Sequence, residues 1–201
     1  MEIKDFIQFD ISRDMINEAE SYLKQSNFDE RCEMKKLRSN QYGSNKKRTI
    51  QGYIGEVMVG NYLGPAAIRV DYDEFDFVYK RKKIEVKCIA INNTPKLYYR
   101  AQVNSCYDDF IRKQSADFYI FCFANLNFKI GWIAGFISCD HFFEVGTFRP
   151  KGYEFLPGKY YIADATDATV YDLTPMSLFD AECENGFIYG AKKEKKRIRQ
   201  I

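Results

Sequence analysis

The sequence predicts an α/β layered domain, a mixed central sheet flanked by helices. Two helical patterns with an alternating hairpin between them, and an almost wholly apolar strand after the second, predict it. The 201 residues are 46% hydrophobic and 16% aromatic, which suits one core and excludes a disordered chain.

Ser12 is placed to cap a first helix whose apolar residues Ile11, Met15, Ala19, Tyr22 and Leu23 keep helical spacing to a stop before Asn27. Residues 39–48 are polar, contain Gly43 and read as a loop. Thr49 then caps a second helix, residues 50–63, with Ile50, Ile54, Val57 and Met58 in one stripe and Gly64-Pro65 as its stop. Residues 75–79 and 84–89 alternate with period two around Lys80, Arg81, Lys82 and Lys83, the pattern of a hairpin. A helix is expected around 104–114, a buried strand over 118–124, another over 129–136 and a further strand at 160–163.

The six cysteines form no C-x-x-C pair and mostly sit in apolar runs, as reduced core residues of a cytoplasmic protein would. Cys139-x-His141 lacks the second pair a zinc site needs, and one histidine argues against a Ser-His-Asp or Cys-His hydrolase. No stretch approaches the roughly 18 apolar residues that span a bilayer, so no membrane partner is expected. Net charge is +2, but it is segregated. Residues 35–48 carry six cations and no acid, 80–83 carry four, and 192–199 carry six against Glu194. These windows hold +15, leaving −13 elsewhere. Such segregation suits a phosphate-binding protein with a carboxylate metal site, although each run alone also fits a solvated loop or tail.

If the hairpin pairs Tyr79 with Ile84, Asp76 faces Lys87 and Phe77 faces Val86. Phe75, Phe77, Tyr79, Ile84, Val86 and Cys88 then share one face, and Asp76, Val78, Glu85 and Lys87 the other. Two like charges about 4 Å apart repel by about 1 kcal/mol in water and about 4 kcal/mol at an effective dielectric of about 20, so this cluster needs compensation. A hard divalent cation would supply it, and a plain Asp76–Lys87 ion pair on a solvated face remains the alternative. On the second helix, Gly52, Glu56 and Gly60 fall within an arc of about 80°. Glycine within a helix costs about 1 kcal/mol relative to alanine, so a sheet, a ligand or a nucleic-acid backbone is expected to approach Glu56 closely.

Glu56 on a helix, then Asp76, then Glu85-Val86-Lys87 on the next strand resembles the PD-(D/E)xK nuclease superfamily, whose core is a helix, a three-stranded meander, a second helix and another strand. Of four E-x-K triplets in the chain, only this one lies in an alternating strand behind an aspartate. Phe75 stands where the family name has proline, and Asp71 and Asp73 are rival ligands. The resemblance implies a restriction endonuclease-like core over about residues 49–124; beyond it a β-rich extension over 125–190 and a basic tail over 191–201 are expected. It implies that Asp76, Glu85, Glu56 and the Val86 carbonyl hold Mg²⁺, for which Mn²⁺ can substitute, while Lys87 orients or activates the attacking water.

The expected activity is metal-dependent hydrolysis of DNA phosphodiesters, by an endonuclease rather than an exonuclease. Lys46, Lys47, Arg48, Lys82 and Lys83 would grip the backbone. An RNA nuclease of the same fold and a nucleic-acid-binding or assembly protein without turnover are the alternatives. Gln102 is a further polar candidate, and Tyr98 and Tyr99 are candidate stacking residues. The extension has the composition to complete the sheet, read a sequence or form a homodimer interface.

Overall fold

The computed structural model describes residues 1–26, 39–70, 75–104, 115–161 and 164–185, with backbone alone at 39–45, 104, 156, 159 and 185. Helix α1 (Arg13–Gln25) starts as its sequence dictates, with Ser12 Oγ accepting the Met15 N–H at 3.2 Å, and it buries Met15, Ala19 and Leu23. Helix α2 (Ser39–Leu63) corrects the expected loop over 39–48, because the helix begins at Ser39 and not after Thr49. Lys46, Lys47 and Arg48 are good helix formers, and Gly43 and the asparagines are weak breakers that a packed helix absorbs.

The main sheet is mixed. Strands β1 (Ile7–Asp10), β2 (Ile68–Arg69), β3 (Phe77–Tyr79), β4 (Lys82–Ile91), β6 (Phe118–Asn125) and β7 (Ile130–Ser138) lie in the order β1-β7-β6-β4-β3-β2. Only β4 and β6 run parallel; the other pairs are antiparallel. A second sheet, in the order β5-β11-β8, comprises β5 (Arg100–Asn104), β8 (Thr147–Arg149) and β11 (Ala165–Thr169). Strands β9 (Glu154–Leu156) and β10 (Lys159–Tyr160) form a small hairpin. Helices α3 (Cys139–Val145) and α4 (Phe179–Asn185) and four single 3-10 turns complete the described elements. Of the helix expected over 104–114, Asn104 is the last residue of β5 and the rest lies outside the described residues. The strand expected at 160–163 is present only as β10, with 162–163 also outside them.

Alternation along β6 divides the interior in two. Phe118, Ile120, Cys122 and Ala124 pack with Ile54, Val57 and Met58 of α2 and with Met15 and Ala19 of α1. Tyr119, Phe121 and Phe123 point the other way, into a second core with Ala101, Val103, Ala168 and Phe142. No helix among the described residues is long and apolar enough to cross a membrane, and Cys88, Cys122, Cys139 and Cys183 are free thiols.

The hairpin turn corrects the expected register. Tyr79 pairs with Lys82 and Phe77 with Ile84, so the loop is the two residues Lys80 and Arg81, at φ 46° and 65°. That is the left-handed backbone of a tight hairpin turn, which costs a non-glycine residue about 1–2 kcal/mol. The slip relative to the expected pairing is two residues. It therefore leaves each side chain on its expected face, but brings Asp76 alongside Glu85 instead of Lys87.

Candidate functional site

Helix α2 lies directly on β4 because of Gly55. A Cβ there would fall 2.6 Å from Cys88 Cβ, whereas one at Gly52 would meet nothing within 4 Å and one at Gly60 only the Phe77 ring, at 3.5 Å. The close approach inferred from Gly52 and Gly60 thus belongs to their neighbour. It brings Glu56 down beside the sheet edge, 7% exposed.

Glu56 Oε2 accepts a hydrogen bond from Arg69 Nε at 2.9 Å. Arg69 is set by β2, where it pairs with Phe77, and its guanidinium carbon lies 3.8 Å from the centroid of the Tyr22 ring on α1. The sequence reading missed this residue. Its signal was that Arg69 is the one basic residue between Arg48 and Lys80, in a stretch containing Glu56 and four further acids before Phe77.

Asp76 stands where β3 leaves β4. Its N–H donates to the Ile84 carbonyl at 2.9 Å, and its Oδ2 accepts the Val86 N–H at 2.6 Å, in the place a strand carbonyl would fill. Val86 buries its side chain on the helical side. The N–H and C=O of one strand residue turn to the same edge, so the Val86 carbonyl also turns toward Asp76. Glu85 and Lys87, on either side of Val86, share the opposite face of β4; they are the register partners of Tyr119 and Phe121 in β6. Lys87 Nζ and Glu85 Oε1 form an ion pair.

Asp76 thus feels a carboxylate from each side of the sheet, Glu56 from the helical side and Glu85 from the other, with Arg69 and Lys87 as their ion-pair partners. Burial pushes the Asp76 pKa well above the ordinary value. The negative charges of Glu85 and Glu56 add to that rise, against Lys87 and the Val86 N–H. Burial likewise raises Glu56 to about 7, against the opposing pull of Arg69. Both shifts mean that a nearby positive charge would be favourable.

The donor set is hard oxygen, suited to Mg²⁺ or Mn²⁺, with Asp76, Glu85 and the Val86 carbonyl as the donors nearest one another along the chain. Glu56 is engaged by Arg69 and Glu85 by Lys87. Among the described residues no three His, Cys, Asp or Glu side chains already form a group that could hold a metal ion. Asp71 and Asp73 lie outside the described residues.

The basic candidates divide. Lys46, Lys47 and Arg48 occupy α2 eight to ten residues before Glu56, about 12–15 Å along the helix, where Lys47 Nζ lies 5.7 Å from the Phe128 ring beyond the far end of β6. Lys83 shares the face of Glu85 and Lys87, with its Nζ 5.2 Å from the Phe75 ring; Lys82 shares the face of Ile84 and Val86. Gln102 lies on the second sheet opposite Asp167. Tyr98 is 67% exposed, whereas Tyr99 packs edge-on against Phe123. That sheet also carries a charge cluster absent from the sequence reading, in which buried Asp167 accepts from Tyr161, Arg100 and Arg149.

Comparison with known proteins gives no match at any level: no family model, no curated protein and no solved structure matches the chain.

Proposed function

We propose that the protein is a metal-dependent nuclease that hydrolyses DNA phosphodiesters at the Asp76–Glu85–Lys87 site. The observation that carries this reading is the Val86 N–H bound by the Asp76 carboxylate, with Glu85 and Lys87 immediately beside it. Support also comes from the order of elements: α2, the antiparallel meander β2–β3–β4, then β6 alongside β4. Apart from a second helix, expected over residues that lie outside the described ones, this is the order a PD-(D/E)xK core would have.

Asp76, Glu85 and the Val86 carbonyl would hold Mg²⁺, which when bound polarises the scissile phosphate and lowers the pKa of a water. Lys87 exchanges its contact with Glu85 for the attacking oxygen and the negative charge that develops on the phosphate. Arg69 aims Glu56 from the helical side and opposes the effect of burial on it, so that in its ionised form it would hold a further water. The half-enclosed edge at Asp76 admits the backbone of a polymer, with two exposed cations, Arg81 and Lys83, on the same hairpin. The test is cleavage of DNA with Mg²⁺ by the wild type, Asp76→Asn and Lys87→Ala. Activity lost in both variants supports the assignment, and equal activity in all three refutes it.

The second reading is a nucleic-acid binder on the same core without turnover. It is favoured by the pairing of Glu56 with Arg69 and of Glu85 with Lys87. It expects no thermal stabilisation by Mg²⁺ or Mn²⁺. An RNA substrate is distinguished by running the same assay on RNA.

A further inference from the structure

The tip of the β3–β4 hairpin carries four consecutive cations, and the structure gives them different work. Lys80 is committed to the protein: its Nζ lies 2.8 Å from Glu184 and 3.3 Å from Asp180, both on α4. Tyr79 adds a hydroxyl bond to Asp180 at 2.7 Å, and its ring stacks on Phe179. The turn is thereby bolted to α4. Lys82 faces the same side. Burial raises the Cys183 thiol of α4 to about 12, and Lys80 and Lys82 pull it the other way.

Arg81 and Lys83 remain. Both are exposed, and neither forms an ion pair among the described residues. Arg81 sits at φ 65°, where an asparagine or glycine would be unstrained. Lys83 continues the line of Glu85 and Lys87 on one face of β4, two residues or about 7 Å from Glu85, and Arg81 lies beyond it in the turn. One strand of a duplex advances about 3.4 Å per nucleotide, so Lys83 lies about two nucleotide steps from Glu85 and Arg81 further along the same side.

We infer that the hairpin tip is a rigid phosphate-gripping finger in which Arg81 and Lys83, and not Lys82, hold the DNA backbone on one side of the cleaved bond. This rests on the nucleic-acid reading of the site and adds its footprint. Lys80 supplies rigidity, so Arg81 and Lys83 meet the backbone at a fixed distance from the carboxylates.

The full chain and the variants Arg81→Asn, Lys83→Gln, Lys82→Gln and the Arg81→Asn/Lys83→Gln double are titrated, in EDTA to prevent cleavage, against a labelled DNA duplex and an RNA duplex of the same sequence over a range of KCl. Asparagine tolerates the left-handed turn, and thermal melts verify folding. The slope of log affinity against log salt for the DNA duplex should fall by about 1 for each single variant at 81 and 83 and by about 2 for the double, with Lys82→Gln unchanged. A double variant that keeps the wild-type slope overturns the finger while leaving the nuclease reading standing, as does a Lys82→Gln loss equal to that of Lys83→Gln. Losses confined to the RNA duplex overturn its DNA form. A wild type that binds neither duplex overturns both readings.

Discussion

The Val86 main-chain N–H donates to Asp76 Oδ2 at 2.6 Å, so a carboxylate takes the place of a backbone acceptor where β3 parts from β4. This fixes Asp76 between Glu85 on one face of the sheet and Glu56 on the other side. The arrangement makes the site sensitive to proton concentration, to added cations and to the packing of α2.

Glu56 makes stability fall as pH rises. Its folded pKa of about 7 stands above its ordinary 4.5, so the folded state holds a proton that the unfolded chain has lost. The contribution is complete below about 4.5 and is lost by about 7, with a size of the order of 3 kcal/mol. Thermal melts across that interval should show a declining Tm without metal, and Glu56→Gln should make the decline shallower, leaving the part that the raised Asp76 carboxyl contributes with the same sign. An equally steep decline in the variant would locate the effect elsewhere.

Divalent cations should reverse this loss. If Asp76 and Glu85 hold Mg²⁺, saturation at about 100 times Kd raises stability by about 2.7 kcal/mol. The gain should grow with pH, because ion and proton compete for the same oxygens. Differential scanning fluorimetry with Mg²⁺, Mn²⁺ and EDTA measures it, and Asp76→Asn should abolish it.

Lys87→Ala should lower kcat by about 10²- to 10³-fold, the usual loss when one donor to a developing negative charge is removed. It also strands Glu85, whose side chain is 11% exposed, so the melt should shift down. Glu85→Gln/Lys87→Ala should regain stability without regaining activity, which separates the chemical role from the structural one.

Two glycines in α2 should respond with opposite signs. Gly55→Ala would drive a Cβ to 2.6 Å from Cys88 Cβ and should destabilise by about 1–3 kcal/mol. Gly52→Ala enters open space and should stabilise by about 1 kcal/mol. Urea unfolding of the two variants decides it.

Much of the scaffold was legible. Ser12 announced α1, the apolar run 118–124 announced β6, and strict alternation assigned the two faces of the hairpin. Those faces survived a two-residue error in the turn because side-chain parity repeats every two residues. The same property hid the neighbour of Asp76, since either register satisfies the apolar pattern. The start of α2 was illegible because polar helix formers and loop residues overlap in type. Strands β8 to β11 have two to five residues each, too few for a period to emerge, and β1 pairs through only four. The site acids are spread across α2, β3 and β4. Arg69 was missed because a lone cation at a strand end has no pattern of its own.

Strand β6 has a consequence for how the molecule comes apart. Its odd-numbered aromatics, Tyr119, Phe121 and Phe123, and its even-numbered residues, Phe118, Ile120 and Cys122, are a single partition wall serving two rooms. Loss of either the helical layer or the second sheet strips one side of that wall and weakens what the other packs against. Heating should therefore dismantle both in one cooperative step, and small volume changes in β6 should register on probes placed on either side.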